Sequence, residues 1–249
     1  MLRRWTESTS VEFGFDEVRA RRMSFRGNVM AEALRTNPPS GDAIGGALAS
    51  FDAVLGEVLA GPGRARPLDL ILDDAWTYVD VVAGRFGGMT KAQIQRIARG
   101  CVDEVVPRHE VQWQLQPGAE ALLIAAMPQV LLAELDAAAR RRGVDLRSIA
   151  VRAIRRWNGA RARLGGGDVV FASVGRGFMV CMHARGGAVD AVTQAAIPGG
   201  DETGAALDLQ VDRMLALRGV TASAARRFVV TGLSQAASPR WDLVEEEAS

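Results

Sequence analysis

The stretch DVVFASVGRGFMVCMHARGGAVDAVTQAAIPGGDETG, residues 168–204, decides the fold of this chain. Apolar runs at Val169–Val174, Phe178–Ala184 and Val189–Ile197 predict strands, and the glycines between them predict tight hairpin turns. Gly199-Gly200-Asp201 then precedes a segment with apolar residues at helical spacing, which predicts a turn, an N-cap and a helix. Two hairpins that lead into a capped helix indicate an α/β half-domain with glycine turns able to face an anion.

The residues around this stretch show the same alternation of strand and helix patterns. A hairpin is predicted around Asp16-Glu17, and the other segments follow from apolar periodicity, caps and breakers. The predicted strands are Val11–Phe15, Val18–Phe25, Leu68–Asp73, Thr77–Val82, Glu110–Gln116, Ala121–Met127, Asp145–Val151 and Arg227–Thr231. The predicted helices are Asp42–Ala60, Thr90–Val105, one that starts at Pro128 and ends in Arg140-Arg141-Arg142-Gly143, Arg152–Leu164 and Glu202–Leu217.

These elements predict a two-lobed α/β protein with mixed sheets. We expect a first lobe over 1–164 with a small inserted subdomain at about 84–127, and a second lobe over 168–237. Gly165-Gly166-Gly167 is the expected joint, and we expect residues 238–249, with Glu245-Glu246-Glu247, to form a disordered tail. Ser173–Gly177 and Gly232 should then face one cleft between the lobes.

The composition and the short motifs argue against several classes of function. A net charge of +1 gives no argument for binding nucleic acid, and no apolar run is long enough to span a membrane. Lys91 is not part of a P-loop motif, which excludes that class of nucleotide site. Cys101, Cys181, His109 and His183 lack the paired short spacings of a zinc site and suggest no catalytic set. We read the Asp73-Asp74 pair as a turn at a strand end, because neighbouring strand residues point to opposite faces.

Four segments along the chain carry glycines beside acidic or hydroxyl residues. They are Glu12-Phe13-Gly14, Ser173-Val174-Gly175, Ile197–Thr203 with Gly199-Gly200, and Val229–Ser234 with Gly232. In these segments the chain resembles the actin-like pilus assembly protein M family of type IV pili and the cytoplasmic domain of the type II secretion L protein. The resemblance implies an actin-like (ribonuclease H-like) fold in which these segments correspond to two Asp-x-Gly phosphate loops, a Gly-Gly turn into a helix, and a turn beside the adenosine.

The same loops depart from the pattern of that family. Phe15-Asp16-Glu17 replaces small hydroxyl residues, Ser173 replaces an aspartate, and Leu233 stands where a glycine would admit the nucleotide. We therefore expect no cofactor, no metal and no catalytic residue. The vestigial loop residues are Glu12, Gly14, Ser173, Gly175, Gly199, Gly200 and Gly232.

The resemblance implies a non-enzymatic scaffold at the cytoplasmic face of a bacterial inner membrane, in a type IV pilus or type II secretion machine. Such a scaffold would link membrane subunits to the assembly ATPase and bind a short cytoplasmic peptide of a membrane partner; a homodimer is left open. One alternative is an active actin-like ATPase or small-molecule kinase, with Glu12 replacing the first aspartate and Asp16 holding a metal. A free-standing regulatory protein of the same fold is another.

Overall fold

A computed structural model of the chain describes residues 7–24, 26–38, 42–60, 67–106, 108–175, 177–197, 203–217, 219–220, 225–231 and 241–244. The chain divides into two compact units. Among the described residues, the first comprises those within 7–76 and 129–152, and the second comprises those within 77–128 and 153–244. Each unit is a mixed α/β assembly, so the predicted fold class is confirmed at this level.

The elements are numbered here in chain order. The described strands are β1 Ser8–Phe13, β2 Glu17–Met23, β3 Val29–Thr36, β4 Pro67–Leu72, β5 Tyr78–Ala83, β6 His109–Leu115, β7 Ala121–Pro128, β8 Asp145–Val151, β9 Asp168–Val174, β10 Phe178–Arg185, β11 Ala188–Ala196, β12 Arg226–Thr231 and β13 Asp242–Leu243. The described helices are α1 Ala43–Val58, α2 Lys91–Asp103, α3 Gln129–Arg141, α4 Arg152–Leu164 and α5 Thr203–Leu217. No described helix has the length and hydropathy that a membrane span requires.

The first unit is a sheet in the order β3-β2-β1-β4-β8. β1 and β2 form an antiparallel hairpin, whereas β4 is parallel to both β1 and β8. The carboxyl ends of β1, β4 and β8 therefore meet at one edge of the sheet. α1 starts at its N-cap Asp42, which accepts a hydrogen bond from Gly45 N at 2.8 Å. Phe51 of α1 then packs edge-on against Phe13 at 6.0 Å between ring centroids.

An ion pair connects α1 with the end of α3. Arg142 Nε donates to Asp52 Oδ1 at 3.0 Å, and this hydrogen bond holds the pKa of the Asp52 carboxyl below its usual value. Gly143 follows in the left-handed region, at φ 72°, and ends the helix. The arginine run at 140–142 is therefore a helix terminus with two ion pairs, Arg142 with Asp52 and Arg140 with Asp136, in agreement with the helix stop predicted from Arg140-Arg141-Arg142-Gly143.

The main sheet of the second unit has the order β11-β10-β9-β12-β13 and carries a helix on each face. Leu207 and Val211 of α5 pack against one face, with Val170 and Cys181 in the same buried cluster. Burial raises the pKa of the Cys181 thiol to about 12, so this cysteine behaves as a small apolar side chain. On the other face, Trp157 of α4 contacts Phe171, with ring centroids 5.7 Å apart.

The inserted part of the second unit is a sheet in the order β5-β7-β6, covered by α2. Thr90 and Gln93 form a capping box at the start of α2. The Gln194 side chain of β11 continues the hydrogen bonding at the edge of β5. It accepts from Val79 N at 2.9 Å and donates to Thr77 O at 3.2 Å. This glutamine thus satisfies backbone groups that a further strand would otherwise pair with.

Four features differ from the sequence predictions. β3 was not predicted, because Val29–Thr36 lacks clean alternation and most of its residues are exposed at the end of the sheet. Pro128 ends β7 instead of starting α3. The units divide at 76/77, 128/129 and 152/153, so they do not coincide with lobes over 1–164 and 168–237, and the predicted insert 84–127 lies in the second unit. Residues 241–244 of the predicted tail include strand β13, whereas 238–240 and 245–249 lie outside the described residues.

A partly buried polar cluster contacts the segment at 241–244. Arg227 of β12 donates to Asp208 at 2.9 Å and to Asp212 at 2.6 Å, and both acids belong to α5. Trp241 Nε1 donates to the same Asp208 at 2.8 Å, while the Arg227 guanidinium lies 5.9 Å from the Trp241 ring. A sequence pattern does not reveal this anchor, because its members come from three separate segments.

Replacing Arg227 with Met should destabilise the second unit. Arg227 is only 5% exposed, so its loss leaves Asp208 and Asp212 close together without their shared cation. We expect a loss of about 2–3 kcal/mol in the free energy of unfolding, measured by urea denaturation. Arg213→Met removes an exposed arginine of the same helix and should change that free energy by less than about 0.5 kcal/mol. Equal losses in the two variants would contradict the assignment.

Candidate functional site

The turn between β1 and β2 corresponds to the first predicted phosphate loop. Gly14 N donates to Glu17 O at 2.9 Å, and a Cβ built on Gly14 would approach the same oxygen to 2.4 Å. Glycine is therefore required at this position, because any side chain would clash with the carbonyl oxygen of Glu17 in the same turn. Asn37 donates from Nδ2 to Gly14 O at 3.1 Å and to Phe15 O at 2.7 Å. The turn is thus fixed by hydrogen bonds within the first unit.

An aromatic stack borders this turn. The Phe15 ring is 46% exposed and lies 5.4 Å from the Trp76 ring, measured between centroids. Trp76 in turn lies 5.7 Å from Phe13 in the core. Phe15 therefore belongs to a packed aromatic stack beside the loop.

Arg152 lies at the same edge of the sheet, beside two carboxylates. Its guanidinium donates to Asp73 Oδ2 and lies 3.8 Å from Glu12 Oε2. Asp73 follows β4, where its Oδ1 also accepts from Ala75 N at 3.1 Å in a short 3₁₀ turn, as expected for a strand end. The side chains of Arg152 and Asp73 are 15% and 11% exposed. A fixed cation is therefore already paired with the two carboxylates that could face a metal.

Ser173 lies at the corresponding place in the second unit. It is fully buried in β9, opposite Val180 of β10 and Val230 of β12. Its Oγ accepts a hydrogen bond from Arg156 Nη1 at 3.1 Å, and the same nitrogen lies 3.3 Å from Val174 O. A second arginine of α4 is thus engaged at the end of this strand.

The glycines beside Ser173 serve a hairpin. Gly175 N donates to Phe178 O at 2.9 Å, and Gly177 adopts φ 72° while its carbonyl accepts from Ile197 N at 3.0 Å. The first bond closes the turn between β9 and β10, as a tight hairpin requires, and the second extends the pairing of β10 with β11.

Among the described residues, those at the two strand ends do not fit a Mg-nucleotide. In the first unit, the arginine on Glu12 and Asp73 competes with any divalent ion for the same oxygens. In the second unit, Ser173 is buried and offers a hydroxyl that is already hydrogen-bonded. Within the part of the chain that the structure describes, no group of three or more His, Cys, Asp or Glu side chains could hold a metal ion.

The structure places some of the predicted loop residues together and leaves others undescribed. Glu12 and Gly14 share the edge of the first unit, and Ser173 and Gly175 share the β9 end of the second. Gly199, Gly200, Gly232 and Leu233 lie outside the described residues. The sequence reasoning missed Arg152 and Arg156. Their only signal was a spacing of four residues at the start of a predicted helix that follows a strand.

His183 also has partners that the sequence did not suggest. It is fully buried in β10, with Nδ1 at 2.5 Å from Asp190 Oδ1 and Nε2 at 3.6 Å from Asp168 Oδ1. Arg185 hydrogen-bonds Asp168 and lowers the pKa of that carboxyl. This row spans β9, β10 and β11 and is consistent with cross-strand stabilisation of the sheet.

Comparison with known proteins identifies the fold. The sequence matches no protein-family model and no curated protein. The fold is similar to the PilM-PilN type IV pilus biogenesis complex, with a TM-score of 0.69 and 15% identity over 96% of this chain and 88% of that one. A Bacteroides thetaiotaomicron protein with an actin-like ATPase fold and unknown function gives 0.64 and 10% over 92% and 83%.

The cytoplasmic domain of EpsL, an inner membrane component of the type II secretion system of Vibrio cholerae, gives a TM-score of 0.58. Its identity is 9% over 96% of this chain and 90% of that one. The chain therefore has an actin-like fold, and the predicted resemblance to these two kinds of protein is confirmed at the level of the fold.

Replacing Arg152 with Ala should destabilise the first unit, because Asp73 would stay largely buried beside Glu12 without its cation. We expect a loss of about 2–3 kcal/mol in the free energy of unfolding, measured by urea denaturation at neutral pH. The matched control is Arg147→Ala, which removes an arginine paired with Asp69 across β4 and β8 but 54% exposed. That variant should lose at most about 1 kcal/mol. Losses of the same size would show that Arg152 has no special role.

Proposed function

We propose that this protein is a non-catalytic actin-like scaffold of a bacterial type IV pilus or type II secretion assembly platform. In this role it links membrane subunits to the assembly ATPase. The observation that carries the proposal is the Arg152 guanidinium held by Asp73 and Glu12, at the place where the fold would otherwise present acids to a metal. Arg156 on the buried Ser173 repeats the arrangement in the second unit.

The charges at the two strand ends favour a protein that binds partners over one that catalyses phosphoryl transfer. Phosphoryl transfer in actin-like enzymes depends on charges that position a metal, a nucleotide and a water. Here the two carboxylates of the first unit already face a permanent cation, and the second loop offers a hydroxyl in place of a carboxylate. Glu12 or Asp73 could bind a metal only after it had broken its contact with Arg152. The buried charge left without a partner would then cost free energy of desolvation.

The fold neighbours support the choice of machine. One belongs to a complex of PilM with PilN in type IV pilus biogenesis, and another is the cytoplasmic domain of an inner membrane component of type II secretion. By analogy with these neighbours, we propose that the present chain binds a short cytoplasmic peptide of a membrane subunit. It would then lie at the cytoplasmic face of the inner membrane, held there by protein contacts.

A sheet edge suited to such a peptide exists in the first unit. Among the described strands, β3 lies at the end of its sheet, and it exposes Val29, Met30 and Leu34. A peptide that adds a strand gains affinity from backbone hydrogen bonds and selectivity from side-chain pockets. The entropy lost by the peptide on docking keeps the binding moderate in strength.

Mg-ATP should not bind this protein with useful affinity. The arginine contacts at Glu12, Asp73 and Ser173 oppose the metal, because they already engage groups that would otherwise face it. Isothermal calorimetry should show no saturable heat below about 1 mM, a limit near −4 kcal/mol of binding free energy. A dissociation constant in the low micromolar range, roughly −8 kcal/mol, would instead promote the alternative of an active ATPase or small-molecule kinase.

The purified chain should not associate with lipid by itself. Its formal net charge of +1 gives little general attraction to an anionic membrane surface. In a flotation assay with vesicles that contain phosphatidylglycerol, at physiological salt, the protein should remain at the bottom of the gradient. Flotation with vesicles free of protein would mean direct lipid binding and would overturn the proposed peptide tether.

A further inference from the structure

The open edge of the sheet in the first unit is formed by β3. Among the described strands, β2 is the one that pairs with β3, and Val29, Met30 and Leu34 of β3 are exposed. Just beyond the end of β3, Asn37 N donates to Asp16 O at 2.6 Å. Asn37 and Asp16 therefore form a hydrogen-bonded pair that extends the β2–β3 ladder and fixes which backbone groups of β3 face β2.

The backbone groups of β3 that face away from β2 are centred on Leu34. Hydrogen-bonded residues alternate along an antiparallel ladder, so the odd-numbered residues before Asn37 bond to β2. The N–H and C=O groups of Glu32, Leu34 and Thr36 then point to the open edge. These groups can pair with a further strand, and Leu34 is the middle one of the three residues.

α1 lies beside the same edge, because it packs on β2 and β3 on one face of the sheet. Arg35 of β3 is paired with Glu57, whereas Arg142 at the end of α3 is paired with Asp52. The flank of α1 with Glu57 is therefore the one that faces the open edge. At about 100° per residue, this flank also carries three small residues. They are Gly46, Ser50 and Ala53.

A second copy of the chain that paired its β3 with this edge would bring its own α1 to packing distance. Strands lie about 4.8 Å apart, so a helix axis above the middle of β2 and β3 is about 5 Å from the midline of the new strand pair. A two-fold axis through that midline places the two helices about 10 Å apart, and the sheet twist over two strand intervals rotates them by about 40–50°. Packed helices prefer about these values, and small residues on the facing flanks permit the approach.

The charges at this edge do not oppose the arrangement. Glu32 accepts a hydrogen bond from Arg21 at 3.0 Å, and Arg35 is paired with α1 of its own copy. With the two-fold axis at Leu34, Glu32 of one copy is opposite Thr36 of the other, and the two Leu34 side chains cover each other. In that register all three outward-facing residues of each copy have a partner, and between residues 32 and 36 no like charges stand directly opposite each other.

We propose that the β3 edge binds a second copy of this chain, in an antiparallel strand pair about a two-fold axis at Leu34. The dimer joins the two five-stranded sheets into one and packs α1 against its copy. A short peptide at this edge, as considered above, satisfies the backbone of β3 but leaves the flank of α1 in water, whereas a second copy covers both. The two occupants exclude each other, and the dimer does not depend on the proposed scaffold role.

Sedimentation velocity of the full chain over the micromolar range tests the dimer, and we expect the average mass to rise with concentration from one copy towards two. Leu34→Lys puts two ammonium groups opposite each other at the two-fold axis and should raise the dissociation constant of the dimer by about tenfold or more. The matched control is Val130→Lys, at an exposed apolar residue of α3, which packs on β8 at the other end of the sheet. It should leave the dissociation constant unchanged.

Ala53→Arg tests the helix contact separately from the strand contact. A long charged side chain on the facing flank keeps the two helices apart and should also raise the dissociation constant by about tenfold or more. Ala137→Arg, at an exposed alanine of α3, is its control and should have no effect. All four positions are exposed, so thermal unfolding followed by circular dichroism should give the four variants the midpoint of the unmodified chain.

The proposal is overturned if the unmodified chain stays a monomer over the whole range, since the β3 edge is then left to another occupant such as a peptide. It is also overturned if Leu34→Lys or Ala53→Arg forms the dimer as well as its control does, because the copies then meet through another surface. The two changes lie in different elements, so either one decides the question if the other unfolds the chain. Neither result bears on the scaffold role, which is tested by capture of the membrane subunit and the ATPase.

Discussion

The ion pair of Arg152 with Asp73 and Glu12 determines the charge at the carboxyl edge of the sheet in the first unit. The parallel arrangement of β1, β4 and β8 brings their carboxyl ends to one edge, and this edge gathers Glu12, Gly14 and Asp73. Carboxylates gathered in this way repel each other and are stabilised by a nearby cation. Here the first residue of α4, Arg152, supplies a guanidinium that faces both carboxylates and offsets part of their charge.

The strand end of the second unit is also engaged by an arginine, but the partner there is a hydroxyl and not a carboxylate. Its strand end carries Ser173 in place of an acid, and the hydroxyl is engaged by Arg156. The surrounding sheet is held by covered edges and buried polar groups: Gln194 binds the backbone of the inserted sheet, and Arg227 joins α5 to β12 and Trp241. In each unit, the polar side chains at the described strand end are thus engaged by an arginine of α4.

Much of the fold follows from local sequence signals. Asp42 and Thr90 mark helix starts through their caps, Ala121–Met127 is an apolar run that forms a buried strand, and Gly143 and Gly175 end elements at turns. β3 and β13 escaped prediction, since edge strands bury few side chains and lack a clear period. The arginines of the candidate site escaped for another reason. In a chain with one lysine and many arginines, no local sign indicates which guanidinium reaches a distant loop, and Arg152 lies 79 residues from Asp73 in sequence.

The role we propose for this actin-like protein is a link between membrane subunits and an assembly ATPase. It is tested most directly by affinity purification of the tagged protein, expressed at its natural level and cross-linked in intact cells, with quantitative mass spectrometry of the captured proteins. We predict joint enrichment of an integral membrane subunit and of the ATPase of one pilus or secretion machine. Enrichment of neither of them, reproducibly and with the tagged protein itself recovered in full, would contradict the claim.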